Sequence, residues 1–119
     1  MGVWELFDVS CVGILVADIM AKSVDKIPDR GKLGLIDSID LFIGGCAANS
    51  AIDMAKLGLN TAISGIVGED IFGSFIRNEL MKHKVNTDGL ITCKKTGSSA
   101  SIVMSDSGGE RTFLHCLGA

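Results

Sequence analysis

Apolar residues fall in short blocks set apart by Gly, Asp and Ser, and the spacing within the blocks alternates between continuous runs and steps of three and four. Phe7 to Val16 is rich in Val, Ile and Leu, with polar or small residues only at Asp8, Ser10 and Gly13, as a strand buried on both faces requires. Asp18 to Lys22 carries on in extended form. A charged loop with Pro28 and Gly31 leads to Leu33–Ile43, where Asp37, Ser38 and Asp40 interrupt the apolar residues and predict a partly exposed strand. From Cys46 to Leu57 two sets, Ala48, Ile52, Ala55 and Ala47, Ala51, Met54, recur at helical spacing, with Gly58 where a helix C-cap belongs. Thr61–Val67 predicts a buried strand closed by Gly68. Asp70 is placed to cap a helix with Phe72, Phe75, Ile76 and Leu80 on one face and Arg77, Glu79 and Lys82 on the other. A short strand near Leu90–Thr92 follows, and Ser99–Ser105 and Arg111–Leu117 flank Asp106-Ser107-Gly108-Gly109 as a hairpin.

Strand, helix, strand, helix is the grammar of βαβ units, so the expected class is α/β. The segments 17–43 and 98–116 are more polar and strand-like than the helical middle and are expected to form a separate small sheet. There is no internal repeat, low-complexity tract or interdomain linker.

A chain of 119 residues with 47% hydrophobic and 21% charged residues has the balance of one soluble domain with a core. A net charge of -3 with scattered Lys and Arg argues against a nucleic-acid partner. Glu5 and Asp8 stand where a signal peptide needs positive charge, and the apolar run Cys11–Ala17 is too short to cross a bilayer, so a cytoplasmic location and no membrane partner are expected. Cys11, Cys46, Cys93 and Cys116 are widely spaced and read as reduced thiols, with no zinc or redox motif and no metal site.

Three nucleotide and nucleophile motifs are absent. Gly13 is followed by Ile14 and Leu15, which is no dinucleotide fingerprint. Gly31-Lys32 is followed by Leu33, which is no Walker loop, and Ser64-Gly65 is preceded by Ala62 where a nucleophile elbow needs glycine.

What remains is Asp18 together with Gly44, Gly45 and Asn49. A carboxylate just past a core strand lies where open α/β sheets bind ligands, and it can accept hydrogen bonds from two hydroxyls. Paired glycines opening an alanine-rich helix let a ligand approach backbone N–H groups, and the Asn49 amide adds a donor and an acceptor. Together they suit a polyhydroxylated small molecule. The competing reading makes Asp18 a solvated strand end, Gly44-Gly45 a plain turn and Asn49 an ordinary first-turn polar residue. His83, between two lysines, reads as a surface residue, and His115, in an apolar strand, as a hydrogen-bonded structural residue. Arg111 is placed either to reach an anionic ligand or to pair at the surface. Asp70 reads as a cap with no chemical role.

The series Val12-Gly13 through Ala17-Asp18, Gly44-Gly45-Cys46-Ala47-Ala48-Asn49, Leu57-Gly58, Gly68-Glu69-Asp70-Ile71-Phe72-Gly73, Thr96-Gly97 and Gly109-Glu110-Arg111-Thr112-Phe113 up to Gly118-Ala119 resembles the ribokinase-like, or PfkB, carbohydrate kinases from end to end. The resemblance implies a Rossmann-like three-layer α/β/α sandwich, present here in part (1–119), with a small β-sheet lid formed by the polar-leaning regions. It implies transfer of the ATP γ-phosphoryl group to a sugar hydroxyl with Mg²⁺, Asp18, Gly44, Gly45 and Asn49 holding the acceptor, and a homodimer through the lid strands.

Two departures qualify it. Cys46 stands where some ribose-type members carry lysine, which puts ribose in question. The family's second signature, a Gly-Ala-Gly-Asp stretch with the catalytic aspartate, is not found, so no catalytic residue is expected in this segment and the nucleotide site is expected outside it. The segment is expected to be inactive alone. The alternatives are a non-catalytic sugar-binding or dimerisation module, and a kinase for a nucleoside or sugar phosphate.

Overall fold

The computed structural model describes residues 6–119. Their nine elements are β1 (Val9–Val12), β2 (Val16–Lys22), β3 (Ser38–Gly44), α1 (Cys46–Lys56), β4 (Thr61–Gly68), α2 (Ile71–Lys82), β5 (Asn86–Cys93), β6 (Ala100–Ser105) and β7 (Arg111–Cys116). They build two sheets. The first is parallel, in the order β1-β4-β5; the second is mixed, in the order β3-β2-β6-β7, with β2 and β6 parallel and both outer pairs antiparallel.

The long apolar run at the start is where the structure departs most from the pattern. Phe7–Val16 is not one strand: β1 ends at Val12, Gly13 adopts φ +151°, and β2 begins at Val16 in the other sheet. Only glycine takes that backbone turn without strain, and the turn moves the chain between sheets within three residues. Asp18 is therefore not a tail beyond a core strand but the third residue of β2. Likewise the strand expected over Leu33–Ile43 starts only at Ser38, with Leu33 and Leu35 exposed in the preceding loop. The strand expected near Leu90–Thr92 is longer, running from Asn86 to Cys93. His83 lies just past α2 as its C-cap residue.

The core lies between the parallel sheet and the two helices. Helix α1 buries Ala47, Ala48, Ala51 and Ile52, and its alanines let the helix come close to Leu15 and Ala17. Helix α2 adds Ile76 and Leu80, which meet Ile63, Val67, Val85 and Leu90 from the strands and their connections. Burial of such side chains is worth about 1.5–3 kcal/mol each relative to exposure. The other face of the parallel sheet is bare, with Val12, Ile66 and Ile91 exposed at 76%, 46% and 63%. The mixed sheet projects from this body, consistent with extents of 63 × 34 × 18 Å. Among the described residues no helix is long and apolar enough to cross a membrane.

Candidate functional site

Strand register fixes which side chains of the mixed sheet share a face. Phe42, Asp18, Ser101 and His115 pair in sequence across β3, β2, β6 and β7 and form one row. The next row outward is Asp40, Met20, Val103 and Phe113. Leu41, Ile19, Ile102 and Leu114 occupy the opposite face, since alternate residues of a strand point to opposite sides.

Val16 pairs with Gly44 and Asp18 with Phe42, so Asp18 and Gly44 are diagonal neighbours on one face. Their contact is intimate: a Cβ placed on Gly44 would collide with Asp18 Oδ2, so the carboxylate lies in the space that the missing side chain leaves. Gly45 follows with φ +92°, and a Cβ there would run into the Ile14 carbonyl. Gly45 is also the N-cap of α1 and offers no side chain to the helix's first amides. N–H groups of that turn are thus left to a ligand or solvent, with the positive end of the helix dipole behind them. Asn49 lies one turn in, exposed, with its backbone N–H donated to the Gly45 carbonyl at 3.0 Å. The structure therefore puts Asp18, Gly44 and Gly45 side by side and sets Asn49 on the helix that Gly45 begins.

Two further polar residues stand in the Asp18 row. Ser101 is 7% exposed, and its Oγ lies 3.0 Å from His115 Nδ1. One row out, Lys22 Nζ is 3.2 Å from Asp40 Oδ2. Hydrogen bonds from Lys22 and then Ser38 hold the Asp40 carboxyl below its ordinary value. The sequence offers no local signal for the Ser101 position, because β2 and β6 are neighbours in space and nearly eighty residues apart in the chain.

Asp70 caps α2 as expected, Oδ1 accepting from Gly73 N–H at 2.8 Å. It does more than cap. Oδ2 accepts the Ser98 N–H at 2.8 Å, Oδ1 accepts the Ser98 hydroxyl at 2.7 Å, and the same hydroxyl oxygen accepts the Gly68 N–H at 2.8 Å. The segment entering β6 is thereby tied to the body. Burial pushes the Asp70 carboxyl up, but the bonds from Ser98 N–H, Gly73 N–H, the Ser98 hydroxyl and Phe72 N–H outweigh it and hold the group below its ordinary value. A cavity of about 430 Å³ is lined mainly by apolar residues, Ile19, Phe72, Ala100, Ile102 and Leu114, with Ser101 and His115 also on its wall.

A parallel sheet with helices on one face and a four-stranded flap extending from it is the architecture of the ribokinase-like kinases. The ribokinase of Arabidopsis thaliana, solved with ribose and ATP, shares it at a TM-score of 0.86 and 26% identity, the match covering 97% of this chain and 37% of that one. The fructokinase of Halothermothrix orenii shares the fold at a TM-score of 0.74 and 22% identity, over 94% of this chain and 38% of that one. Residues 7–119 match the pfkB family carbohydrate kinase, and the chain belongs to that family. Among its relatives, the probable chloroplastic fructokinase-6 of Arabidopsis thaliana is 34% identical over 76% of this chain and 24% of its own length. The 5-dehydro-2-deoxygluconokinase of Bacillus anthracis is 33% identical over 84% of this chain and 28% of its own length. The chain spans about a quarter of the length of these curated relatives.

Proposed function

We propose that this chain is the acceptor-binding and lid portion of a kinase that moves the γ-phosphoryl group of ATP to a sugar hydroxyl. The observation that carries the reading is the Asp18 carboxylate seated against Gly44, beside the uncapped start of α1. An ionised carboxylate only accepts hydrogen bonds and the amides only donate them, so the two sides suit a ligand whose hydroxyls do both. Asn49 extends the grip along the helix. Fixing the acceptor hydroxyl in one orientation, under a sheet that sheds water, is a large part of catalysis of phosphoryl transfer.

The nucleotide is expected elsewhere in the catalytic unit. Relatives with the same fold bind ATP or ADP, but among the described residues no three His, Cys, Asp or Glu side chains converge to hold a metal ion. No step through ATP or Mg²⁺ is assigned to residues of this chain in this reading, and no catalytic base is placed in it. Exposed Ile39, Leu41, Ile102 and Leu114 on the face of the mixed sheet opposite Asp18 support a homodimer through the lid strands.

Two measurements test the proposal. In a coupled assay the 119-residue chain should give no ATP-dependent phosphorylation of D-fructose or D-ribose, and turnover would overturn the assignment of the catalytic groups to other residues. In an NMR titration the same sugars should bind weakly, and Asp18→Asn should reduce that binding about tenfold or more, as loss of charged hydrogen bonds requires. Unchanged binding by that variant would remove Asp18 from the site. A nucleoside acceptor is the second reading, favoured by the nucleoside kinase of Methanocaldococcus jannaschii, which shares the fold at 25% identity and a TM-score of 0.78 over 93% of this chain and 37% of its own. Adenosine and inosine in the same titration distinguish the two.

A further inference from the structure

A cleft on the body holds two opposite charges that do not pair with each other. Its deeper part, a cavity of about 270 Å³ beside α2 and the ends of β4 and β5, has Glu69, Asp70, Ser74, Arg77, Asn78 and Thr92 on its wall. A wider cleft shares Glu69, Asp70, Ser74 and Asn78 with it and adds the apolar side chains of Ile71 and Phe75. Neither space is lined by Asp18, Gly44, Gly45 or Asn49.

Arg77 is anchored but not neutralised. Its Nη2 donates to the Leu90 carbonyl at 3.0 Å and to Thr92 Oγ1 at 3.2 Å, and its Nη1 donates to the Thr87 carbonyl at 3.4 Å. All three acceptors are uncharged, and the ion pairs among the described residues, Lys22 with Asp40 and Lys82 with Glu79, do not include it. A guanidinium has five N–H groups, so Nε–H and one N–H of Nη1 remain to donate. Ser74 precedes Arg77 by three residues and Asn78 by four, the spacing that sets it beside both on the helix surface. A hydroxyl and an amide thus join the fixed cation as donors to one carboxylate.

Glu69 supplies the negative charge. It is exposed, and among the described residues it enters no ion pair. The neighbouring Asp70 carboxylate is taken up by Ser98 and by the Gly73 N–H, which leaves Glu69 as the acceptor open to a ligand. A lone anion would gain Arg77 and be repelled by both carboxylates, and a lone cation would leave Arg77 unmet. A ligand carrying both charges answers both.

We infer that this cleft binds an α-amino acid with an apolar side chain. The carboxylate lies on Arg77 with Ser74 and Asn78, the ammonium group on Glu69, and the side chain along Ile71 and Phe75. The site is separate from the acceptor site and does not depend on it. Asp70 belongs both to its wall and to the link with Ser98, so the occupant lies at the root of the projecting sheet.

The test adds L-leucine to the full 119-residue chain and follows the ¹⁵N signal of Arg77 Nε together with the heat of binding. The signal should shift and saturate. Isocaproate, which lacks the amine, and isoamylamine, which lacks the carboxylate, should each bind about tenfold or more weakly, as loss of a charge-assisted contact requires. Glu69→Gln should weaken L-leucine to the same degree without moving the urea midpoint, since that side chain ties no elements together. Arg77→Lys, which keeps the charge and loses the fork, should weaken L-leucine and leave isoamylamine unchanged. An unmoved Arg77 signal, isocaproate binding as tight as that of L-leucine, or indifference to Glu69→Gln overturns the inference. Inorganic phosphate binding more tightly than L-leucine would make the cleft a plain anion site and overturns it as well.

Discussion

Asp70 and Ser98 are joined by two hydrogen bonds, the carboxylate taking the serine's backbone N–H at 2.8 Å and its hydroxyl at 2.7 Å. The pair links the start of α2 to the strand that enters the projecting sheet, while a third bond to Gly73 N–H caps the helix. Removal of the carboxylate in Asp70→Ala should destabilise the chain by about 2–4 kcal/mol, more than the roughly 1 kcal/mol of an ordinary cap, because charge-assisted bonds are lost with it. Ser98→Ala should lose part of the same energy. In urea denaturation the double variant should therefore fall short of the sum of the singles by about 1 kcal/mol or more, and strict additivity would show that the two residues do not act together.

The same carboxylate sets an acid sensitivity. Its folded-state value lies below the ordinary 3.8, so its contribution is complete above that value and is lost as the pH falls through the lowered one. Wild-type stability should decline below about pH 4. Asp70→Asn should start from a lower stability and lose less over the same range; parallel declines for the two proteins would contradict the assignment.

Gly44 and Gly45 should respond differently to alanine. At Gly45 the methyl group meets the Ile14 carbonyl and the backbone stays at φ +92°, so Gly45→Ala should destabilise by about 2 kcal/mol or more. At Gly44 the methyl group meets only the end of the Asp18 side chain, which can swing aside. Gly44→Ala should thus weaken sugar binding while moving the urea midpoint little. Equal effects on folding at the two positions would argue against the carboxylate's place on Gly44.

Leu80 is fully buried at the centre of the cluster formed by α2 and the parallel strands. Leu80→Ala should cost about 2–5 kcal/mol through lost burial and the cavity left behind, read as a drop in the urea midpoint.

The bare face of the parallel sheet should drive self-association. Val12, Ile66 and Ile91 are exposed there, and Ile66 and Ile91 are register partners on neighbouring strands. The combined change Ile66→Glu and Ile91→Lys places opposite charges side by side and should abolish association beyond the lid-strand dimer in sedimentation. Unchanged higher association would show that the bare face takes no part in it.

How far the chain could be read in advance depended on whether the governing contacts were local. Helix α1 was legible because alanines at helical spacing and Gly58 state its face and its end within twelve residues, and α2 was legible because Asp70 precedes an amphipathic run. The first strand was misread, since Phe7–Val16 is apolar throughout and only the backbone angle at Gly13 shows that two strands of different sheets lie within it. Asp18 and Gly44 were recognisable as candidates, yet their contact depends on the pairing of β2 with β3. Ser98 and Ser101 carried no signal at all. Serines are common in strands and loops, and what distinguishes these two is a partner lying 28 residues away for one and a neighbouring strand far along the chain for the other.

The attachment of the mixed sheet to the body is uneven. The crossing near Ser98 is riveted by Asp70, whereas the crossings at Gly13 and at Gly44-Gly45 each contain glycine, the residue with the widest torsional freedom. Any swing of the flap would pivot about the Asp70 rivet and be taken up by the glycines. Asp18 and Gly44 lie on the moving side of that axle while Asn49 lies on the fixed side, so opening and closing would change the gap between the two halves of the grip.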